Sequence, residues 1–391
     1  MIPFKQAFDM VMDSVRQLDS ERVPLAEAAN RVLAEDVRSD MDMPPFNKSA
    51  MDGFACRRKD LPRELTIVET IQAGCLPTRR VGTNQCSRIM TGAMVPEGAD
   101  CVIMLEQTDQ VSETAVRFVG ADTRDNICCR GEDFRANEVV LHKGDRIAAP
   151  HIAVMASVGH VRPCVSRRPR VAVIATGDEL VEPEEQPQPS QIRTSNGYQL
   201  CAQAAAMGAV PHYYGIVRDT EEAIDRALRK AMTENDVILL SAGVSKGDYD
   251  FVPAVMRKNH IDILFDSIAV KPGKPTTFGI GPDTYCFGLP GNPVSTFIQF
   301  EILVKPFLFS LMGHGYRAPQ YRLPLAQAVD RRPGDRDTWM PVKVTEDGRA
   351  RLIEYHGSAH IKAFCEADGI FMIPAATESL DKGTIISVRP I

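Results

Sequence analysis

A chain of 391 residues, 25% of them charged and 44% hydrophobic, has the balance of a globular protein with room for about two to four domains. Its formal net charge of -6 argues against non-specific attraction to nucleic acid or anionic lipid, and no block of like charge reads as an interaction tail. Ten cysteines include no C-x-x-C pair, which points to reduced core thiols rather than a disulfide framework or a structural zinc site.

The opening residues, MIPFKQAFDMVMDSV, lack the character of a secretory leader because Asp9 and Asp13 interrupt any apolar run. A cytoplasmic location is expected. Phe4, Phe8, Val11, Met12, Val15 and Leu18 recur at helical spacing and predict an amphipathic helix over 4–18. A second helical stretch, LAEAANRVLAEDV, follows Pro24. From 40 to 137 short runs such as LTIVETI, CVIML and AVRFV alternate with Gly and Pro clusters, the pattern of a β-rich domain. Residues 138–168 turn partly helical again and are expected to pack with 1–39 as a helical linker domain.

A regular α/β block occupies 169–313. VAVIAT (171–176) is an apolar strand, and SNGYQLCAQAAAMG is a helix stopped by Gly208. AVPHYYGIV is a strand, followed by the helix EEAIDRALRKAM with Asp219 or Thr220 as its cap. VILLS (237–241), a helix over 251–259, and the strands IDILF, SIAV and YCFGL follow. The apolar segment FIQFEILVKPFLFSLM carries Glu301 and Lys305, so it reads as a core helix and not a membrane span. Continuous apolar strands alternating with helices predict a doubly wound parallel sheet covered on both faces. The last stretch, 314–391, is a small β domain. The predicted fold is therefore multidomain, α/β plus β.

In such sheets ligands bind beyond the carboxyl ends of the strands. That rule selects the loops around Thr176-Gly-Asp178-Glu179, Ser241–Asp250, Lys271-Pro-Gly-Lys274 and Leu289-Pro290-Gly-Asn-Pro293. They hold carboxylates suited to Mg2+ and lysines suited to a phosphate or an oxyanion. Taken singly each has a plainer reading: Asp178 as a turn cap, a loop lysine as a solvated charge, Asp52 as part of a turn. Neither a P-loop nor a G-x-G-x-x-G follows a strand, which excludes ordinary nucleotide-binding motifs.

Together, PPFNKSAMDGFA, RIMTGAMVPEGAD, RGED, TGDEL, SAGVSKGDYD, KPGKP and LPGNPVS resemble, in order and spacing, the molybdopterin molybdenumtransferases, the group that includes the gephyrin E-domain. The resemblance implies insertion of molybdenum from molybdate into adenylylated molybdopterin, with release of AMP and with Mg2+ as the ion. It implies a homodimer whose active site is shared between subunits, and transient encounters with a molybdopterin adenylyltransferase and with apo-molybdoenzymes. It assigns catalytic roles to Asp52, Asp133, Glu179 and Asp250. Substrate contacts fall on Thr91, Asp178, Ser245, Lys271, Lys274, Pro290 and Pro293, and Mg2+ on Glu179 and Asp250. The sequence departs from the family pattern at Asn47, Lys48, Thr194, Ala242, Pro341, Lys362 and Ala363. Those departures leave open a non-catalytic carrier of molybdopterin, and the α/β domain alone leaves open a molybdopterin adenylyltransferase.

Overall fold

The computed structural model describes residues 1–242, 251–330, 334–354 and 357–391. The opening helix α1 spans Phe4–Asp13 and buries Ala7 and Val11. It ends earlier than its apolar pattern predicts because the Tyr285 hydroxyl captures the chain, donating to Ser14 O and accepting from Arg16 N, both at 2.9 Å. Val15 and Leu18 still pack, but as extended chain, and all of α1 joins the core of the α/β domain. Only the following residues share a core with the linker segment: Val23, Leu33 and Val37 lie against Ile147, Met155 and Val165. There Ser20–Arg22 pairs with Cys164–Ser166, and helix α2 covers Ala149–Ser157.

The helix predicted after Pro24 is absent. A single 3-10 turn, Leu25–Glu27, is followed by Asn30 in the left-handed region at φ 64°. Val32 and Leu33 then bridge to Arg146 and Val165. Two short pairings across the linker replace the local helix, so tertiary contact overrides propensity.

The β-rich domain is built on a six-stranded sheet, with a short ladder of Lys48–Ser49 on Ile127–Cys128 beside it. Its strands are β1 (Gly53–Cys56), β2 (Glu64–Ile71), β3 (Gln85–Ile89), β4 (Cys101–Met104), β5 (Thr108–Ser112) and β6 (Ala115–Phe118). The spatial order is β4-β1-β3-β2-β6-β5, antiparallel except for β2 beside β3. Gly53 opens the central strand because nothing larger fits: a Cβ there would lie 1.9 Å from Ile103 O.

In the α/β domain the strands are β7 (Arg170–Thr176), β8 (Val210–Val217), β9 (Val237–Ala242), β10 (Asp262–Phe265), β12 (Thr277–Ile280) and β13 (Tyr285–Pro290). Between β10 and β12 lies β11 (Val270–Lys271), which leaves this sheet for the C-terminal one. The helices are α3 (Asn196–Ala206), α4 (Glu221–Glu234), α5 (Val252–Lys258) and α6 (Pro293–Leu311). Successive residues of β7 and β9 alternate between two cores. Val171, Val173, Val237 and Leu239 face α1, α3 and α6. Ala172, Ile174, Ile238 and Leu240 face α4 and α5. The doubly wound fold is as predicted for the order β8-β7-β9-β13, all parallel. It differs at β12 and β10: a tight turn, with Gly281 N donating to Thr284 O at 2.7 Å, reverses β12 against β13. The sheet is therefore mixed. Helix α6 is apolar enough to cross a bilayer by composition, yet 83% of its most apolar stretch is buried in this core.

The C-terminal sheet has β14 (Tyr321–Pro324), β15 (Asp337–Val344), β16 (Ala350–Leu352), β17 (Gly369–Ile373) and β18 (Ile385–Pro390). Its edge is β11, paired in parallel with β15 so that Lys271 lies opposite Thr338.

At the opposite end of the α/β sheet, Asp236 ties the linker to the domain. It takes a two-pronged bond from Arg167 at 2.7 Å on each oxygen, and Arg170 N donates to it at 2.8 Å. Burial pushes its carboxyl up, but the Arg167 and Arg170 bonds outweigh that and hold it below the ordinary carboxylate range. Stability from a depressed carboxyl is present above the unfolded value and is lost as pH falls through the folded one. Asp236→Asn is expected to lower the melting temperature at pH 7. The gap to wild type then closes as the pH falls below about 4. A calorimetric gap that stays constant down to pH 3 would contradict this assignment.

Candidate functional site

In the β-rich domain two of the singled-out segments are laced together. Asp52 Oδ1 accepts from Thr91 N at 2.6 Å and from Thr91 Oγ1 at 2.8 Å. The backbones agree: Gly92 N donates to Ser49 O at 2.8 Å and Ser49 N to Ala93 O at 2.9 Å. The two Thr91 bonds, backbone first and hydroxyl second, hold the exposed Asp52 carboxyl below its usual range. Asp52 is thus a fixed, charged acceptor with one oxygen, Oδ2, left over for a ligand or a water.

Asp133 sits elsewhere in the same domain. Its backbone N donates to Met43 O at 3.0 Å. It lines a shallow hollow with Lys48, Cys128 and Glu132 on one side and Ala153, Val154 and Ser157 of α2 on the other. Asn47, one of the departures, accepts from Arg130 N at 2.8 Å. An aspartate could make that same bond, so this substitution preserves the local structure.

The carboxyl ends of the α/β strands open into two adjoining cavities of about 570 and 860 Å³. Pro275, Pro290 and Asn292 line both. The smaller is floored by Thr176, Asn196 and Ser241 and includes Glu179 and Pro293. The larger contains Lys271 and Lys274, and across from them Arg336 and Thr338 of the C-terminal domain. The lysine loop is shaped by Gly273 at φ 115°, where a Cβ would come 2.2 Å from Gln299 Nε2. The proline loop is pinned by Thr296, whose hydroxyl donates to Pro290 O. The C-terminal domain closes the other side: Val294 N, at the start of α6, donates to Ser358 O at 3.0 Å, and Ala359 and Ile361 wall the smaller cavity.

The structure brings together Glu179, Lys271, Lys274, Pro290 and Pro293 around these cavities. Among the described residues it does not bring in Asp52, Thr91 or Asp133. Ser245 and Asp250 lie outside the described residues. Asp178 stands at the rim, accepting from Asp219 N at 3.2 Å. Asp219 was legible only as a helix cap; Thr220 takes that role, its hydroxyl accepting from Ala223 N at 3.4 Å. Burial raises the Asp219 carboxyl, and the charges of Asp178 and Glu179 raise it further. Where β7 and β8 end, Asp178, Glu179 and Asp219 are thus near enough for their charges to be felt. Among the described residues no three His, Cys, Asp or Glu side chains are close enough to cage a metal alone.

Three family models divide the chain: the MoeA N-terminal region (domain I and II) over 2–159, a probable molybdopterin binding domain over 172–310, and the MoeA C-terminal region (domain IV) over 322–391. The molybdopterin molybdenumtransferase of Staphylococcus epidermidis is 34% identical over 397 aligned positions, spanning 99% of this chain and 95% of that one. This chain belongs to the molybdopterin molybdenumtransferase family. The Bacillus subtilis relative is 37% identical over 78% of this chain and 74% of its own. The crystal structure of the molybdopterin biosynthesis moeA protein from Pyrococcus horikoshii OT3 is 29% identical, covers both chains fully and superposes with a TM-score of 0.86. The chain is a MoeA-type transferase of molybdenum cofactor biosynthesis, which makes molybdopterin and molybdate the substrates to place.

Within that family frame the serine departures at Lys362 and Ala363 matter less than the sequence suggests, because Ser358 of the same segment lines the larger cavity. Pro341 alternates away from that cavity while Thr338 and Met340 face it, and Arg336 supplies the cation there.

Because the Thr91 backbone contributes more than its hydroxyl, Thr91→Val is expected to raise the Asp52 pKa but to leave it below its ordinary value. Carbon-detected NMR titration of the Asp52 carboxyl reads this directly; an unchanged value would mean that the hydroxyl bond is not made in solution.

Proposed function

We propose that the protein inserts molybdenum from molybdate into adenylylated molybdopterin, releasing AMP with Mg2+ as the ion. The observation that carries this reading is the pair of adjoining cavities, one with an acid edge and one with three cations. The cations Lys271, Lys274 and Arg336 match an oxyanion and phosphate oxygens in charge. Glu179, with Asp178 and Asp219 near it, offers hard oxygen donors of the kind suited to Mg2+, an ion that keeps several waters and completes its shell on substrate phosphates. That preference fits the lack of a full protein cage among the described residues. When bound, the ion would neutralise charge on the phosphoanhydride. The lysines would hold the oxyanion against the anhydride, and Asp52, its carboxyl held below the usual range by the Thr91 bonds, would accept a hydrogen bond from a water on its free oxygen.

The reading includes a cytoplasmic homodimer with a site shared between subunits. It is supported by the fact that Asp52 and Thr91 line neither cavity of their own chain. It also includes transient contacts with a molybdopterin adenylyltransferase upstream and apo-molybdoenzymes downstream, as the family resemblance implies.

Purified protein given adenylylated molybdopterin, molybdate and Mg2+ is expected to release AMP and to yield cofactor that reconstitutes an apo-enzyme. Binding without AMP release would make it a carrier, and molybdopterin-dependent ATP consumption would make it an adenylyltransferase. Asp52→Ala and Lys274→Ala are each expected to cut AMP release by about 10²- to 10³-fold, the loss typical of removing one preorganised charge. Mixing the two variants under conditions of subunit exchange should recover activity, because a mixed dimer keeps one intact site. Failure to recover, with exchange verified, would place Asp52 and Lys274 in the same subunit's site.

A further inference from the structure

The loop that carries Lys271 and Lys274 turns its middle inward. Both lysines are exposed, whereas Pro272 and Gly273 between them are buried. The carbonyls of this turn are held one by one. Gly273 O accepts from Thr276 Oγ1 at 2.8 Å, and Lys274 O accepts from Ile268 N and Thr276 N, each at 3.0 Å. Those bonds stay within residues 268–276. Pro272 O is different: it accepts from Gln299 Nε2 of α6 at 3.3 Å. The backbone rests directly on that amide, since a Cβ on Gly273 would lie 2.2 Å from the same nitrogen.

The same face of α6 makes a second bond of this type. Thr296, three residues earlier, donates its hydroxyl to Pro290 O. Both residues belong to the α-helical part of α6, Pro293–Gln299, which precedes a π turn over Phe300–Val304. Residues three apart in an α-helix are neighbours on one face. One helix therefore grips two proline carbonyls, one in each of the loops that line the larger cavity. Gln299 is also out of keeping with its surroundings. It is 0% exposed between the core residues Ile298 and Phe300, and among the described residues its Oε1 has no partner. A half-satisfied amide costs stability in such a place that an apolar side chain of the same length would not. Local violations of this kind concentrate where function requires them.

We infer that Gln299 is a positioning residue for oxyanion binding: its bond to Pro272 O sets the lysine loop against the proline loop, so that Lys271 and Lys274 present their charges to one anion. The inference rests on the function proposed above, in which those lysines hold the oxyanion. Two ammonium groups on one short loop repel each other, and each rides on a flexible stem. On an unanchored backbone they would spread into solvent, and part of the anion's binding energy would go into drawing them together. A loop fixed beforehand removes that cost. The β11–β15 pairing anchors the loop at Lys271, and the Gln299 bond anchors the buried residue that follows.

The test is molybdate binding to the full-length protein by titration calorimetry, with molybdate-dependent AMP release from adenylylated molybdopterin measured beside it. Gln299→Met keeps the length and the apolar contacts of the side chain and loses the donor. It is expected to weaken molybdate about five- to tenfold, the scale of one hydrogen bond. KM for molybdate should rise by a similar factor, while kcat at saturating molybdate stays within about twofold. A residue that only supports the fold would not give that split, and it would act independently of the lysines. In a Lys274→Ala background, Gln299→Met is therefore expected to change the molybdate KM by about twofold or less, because much of the charge it positions is gone. Unchanged molybdate affinity, a fall in kcat with KM unmoved, or an equal effect in both backgrounds overturns the inference. If Gln299→Met does not fold, Gln299→Asn tests the same point, its amide being one methylene too short for Pro272 O. Failure of both to fold would make Gln299 a core residue and overturns the inference too. Wild-type protein that binds molybdate but releases no AMP would refute the proposed reaction, and the calorimetric comparison would then decide the role of Gln299 alone. Wild-type protein that neither binds molybdate nor releases AMP overturns both.

Discussion

Burial of both faces of the parallel strands is the constraint on which this molecule depends. Val171 to Ile174 and Val237 to Leu240 contribute alternately to two dry cores, and neither core tolerates an unpaired polar group. Chemistry is therefore expelled to the strand ends. At the amino end, Asp236 is consumed by Arg167 and Arg170 as a structural clamp. At the carboxyl end, Thr176, Ser241 and Pro290 finish their strands side by side, because β7, β9 and β13 are neighbours in register. The cavities are a consequence of that register and of the C-terminal domain leaning on it.

The second device is the exchange of β11. Val270–Lys271 leaves the α/β sheet and becomes the edge of the C-terminal sheet, with Val270 opposite Asp337 and Lys271 opposite Thr338. A two-residue pairing is weak by itself, but it ties Lys271 to the strand that Arg336 immediately precedes. Phe4 on Trp339, with ring centroids 6.4 Å apart, and Phe297 on Phe364, at 5.0 Å, pack the same junction. The cavity of Lys271, Lys274 and Arg336 is in this sense an inter-domain product, and its charge would scatter if the two domains packed differently.

These features explain what the sequence could convey. The apolar strands, the helices capped by Thr220 and stopped by Gly208, and the glycine- and proline-rich loops all carry local signals, and they appear where those signals put them. The stretch after Pro24 has a helical pattern, but its apolar residues are used in bridges across the linker, a contact that no local window contains. The reversal of β12 was marked only by Gly281-Pro282-Asp283-Thr284, a turn signal easily read as a longer loop. Asp219 had a sufficient local explanation as a cap, which concealed that β8 ends beside β7 and so delivers it to Asp178 and Glu179. Arg336 stood in a charged, loop-like stretch, and only the β11–β15 pairing shows what it faces.

Asp52 illustrates the opposite case, a residue whose local motif was plain and whose role depends on distance. Gly53 is forced by the approach of Ile103 O, and Thr91 is held by the same backbone ladder that joins Ser49 to Ala93. The carboxylate is therefore rigid before any substrate arrives, which is the condition for contributing to a transition state without a reorganisation cost. Rigidity of that kind would be wasted on a surface turn. An exposed acid held by two bonds on one oxygen keeps the other oxygen for a ligand or a water. That Asp52 lines neither strand-end cavity of its own chain is the observation behind the proposal of a site shared with a second copy.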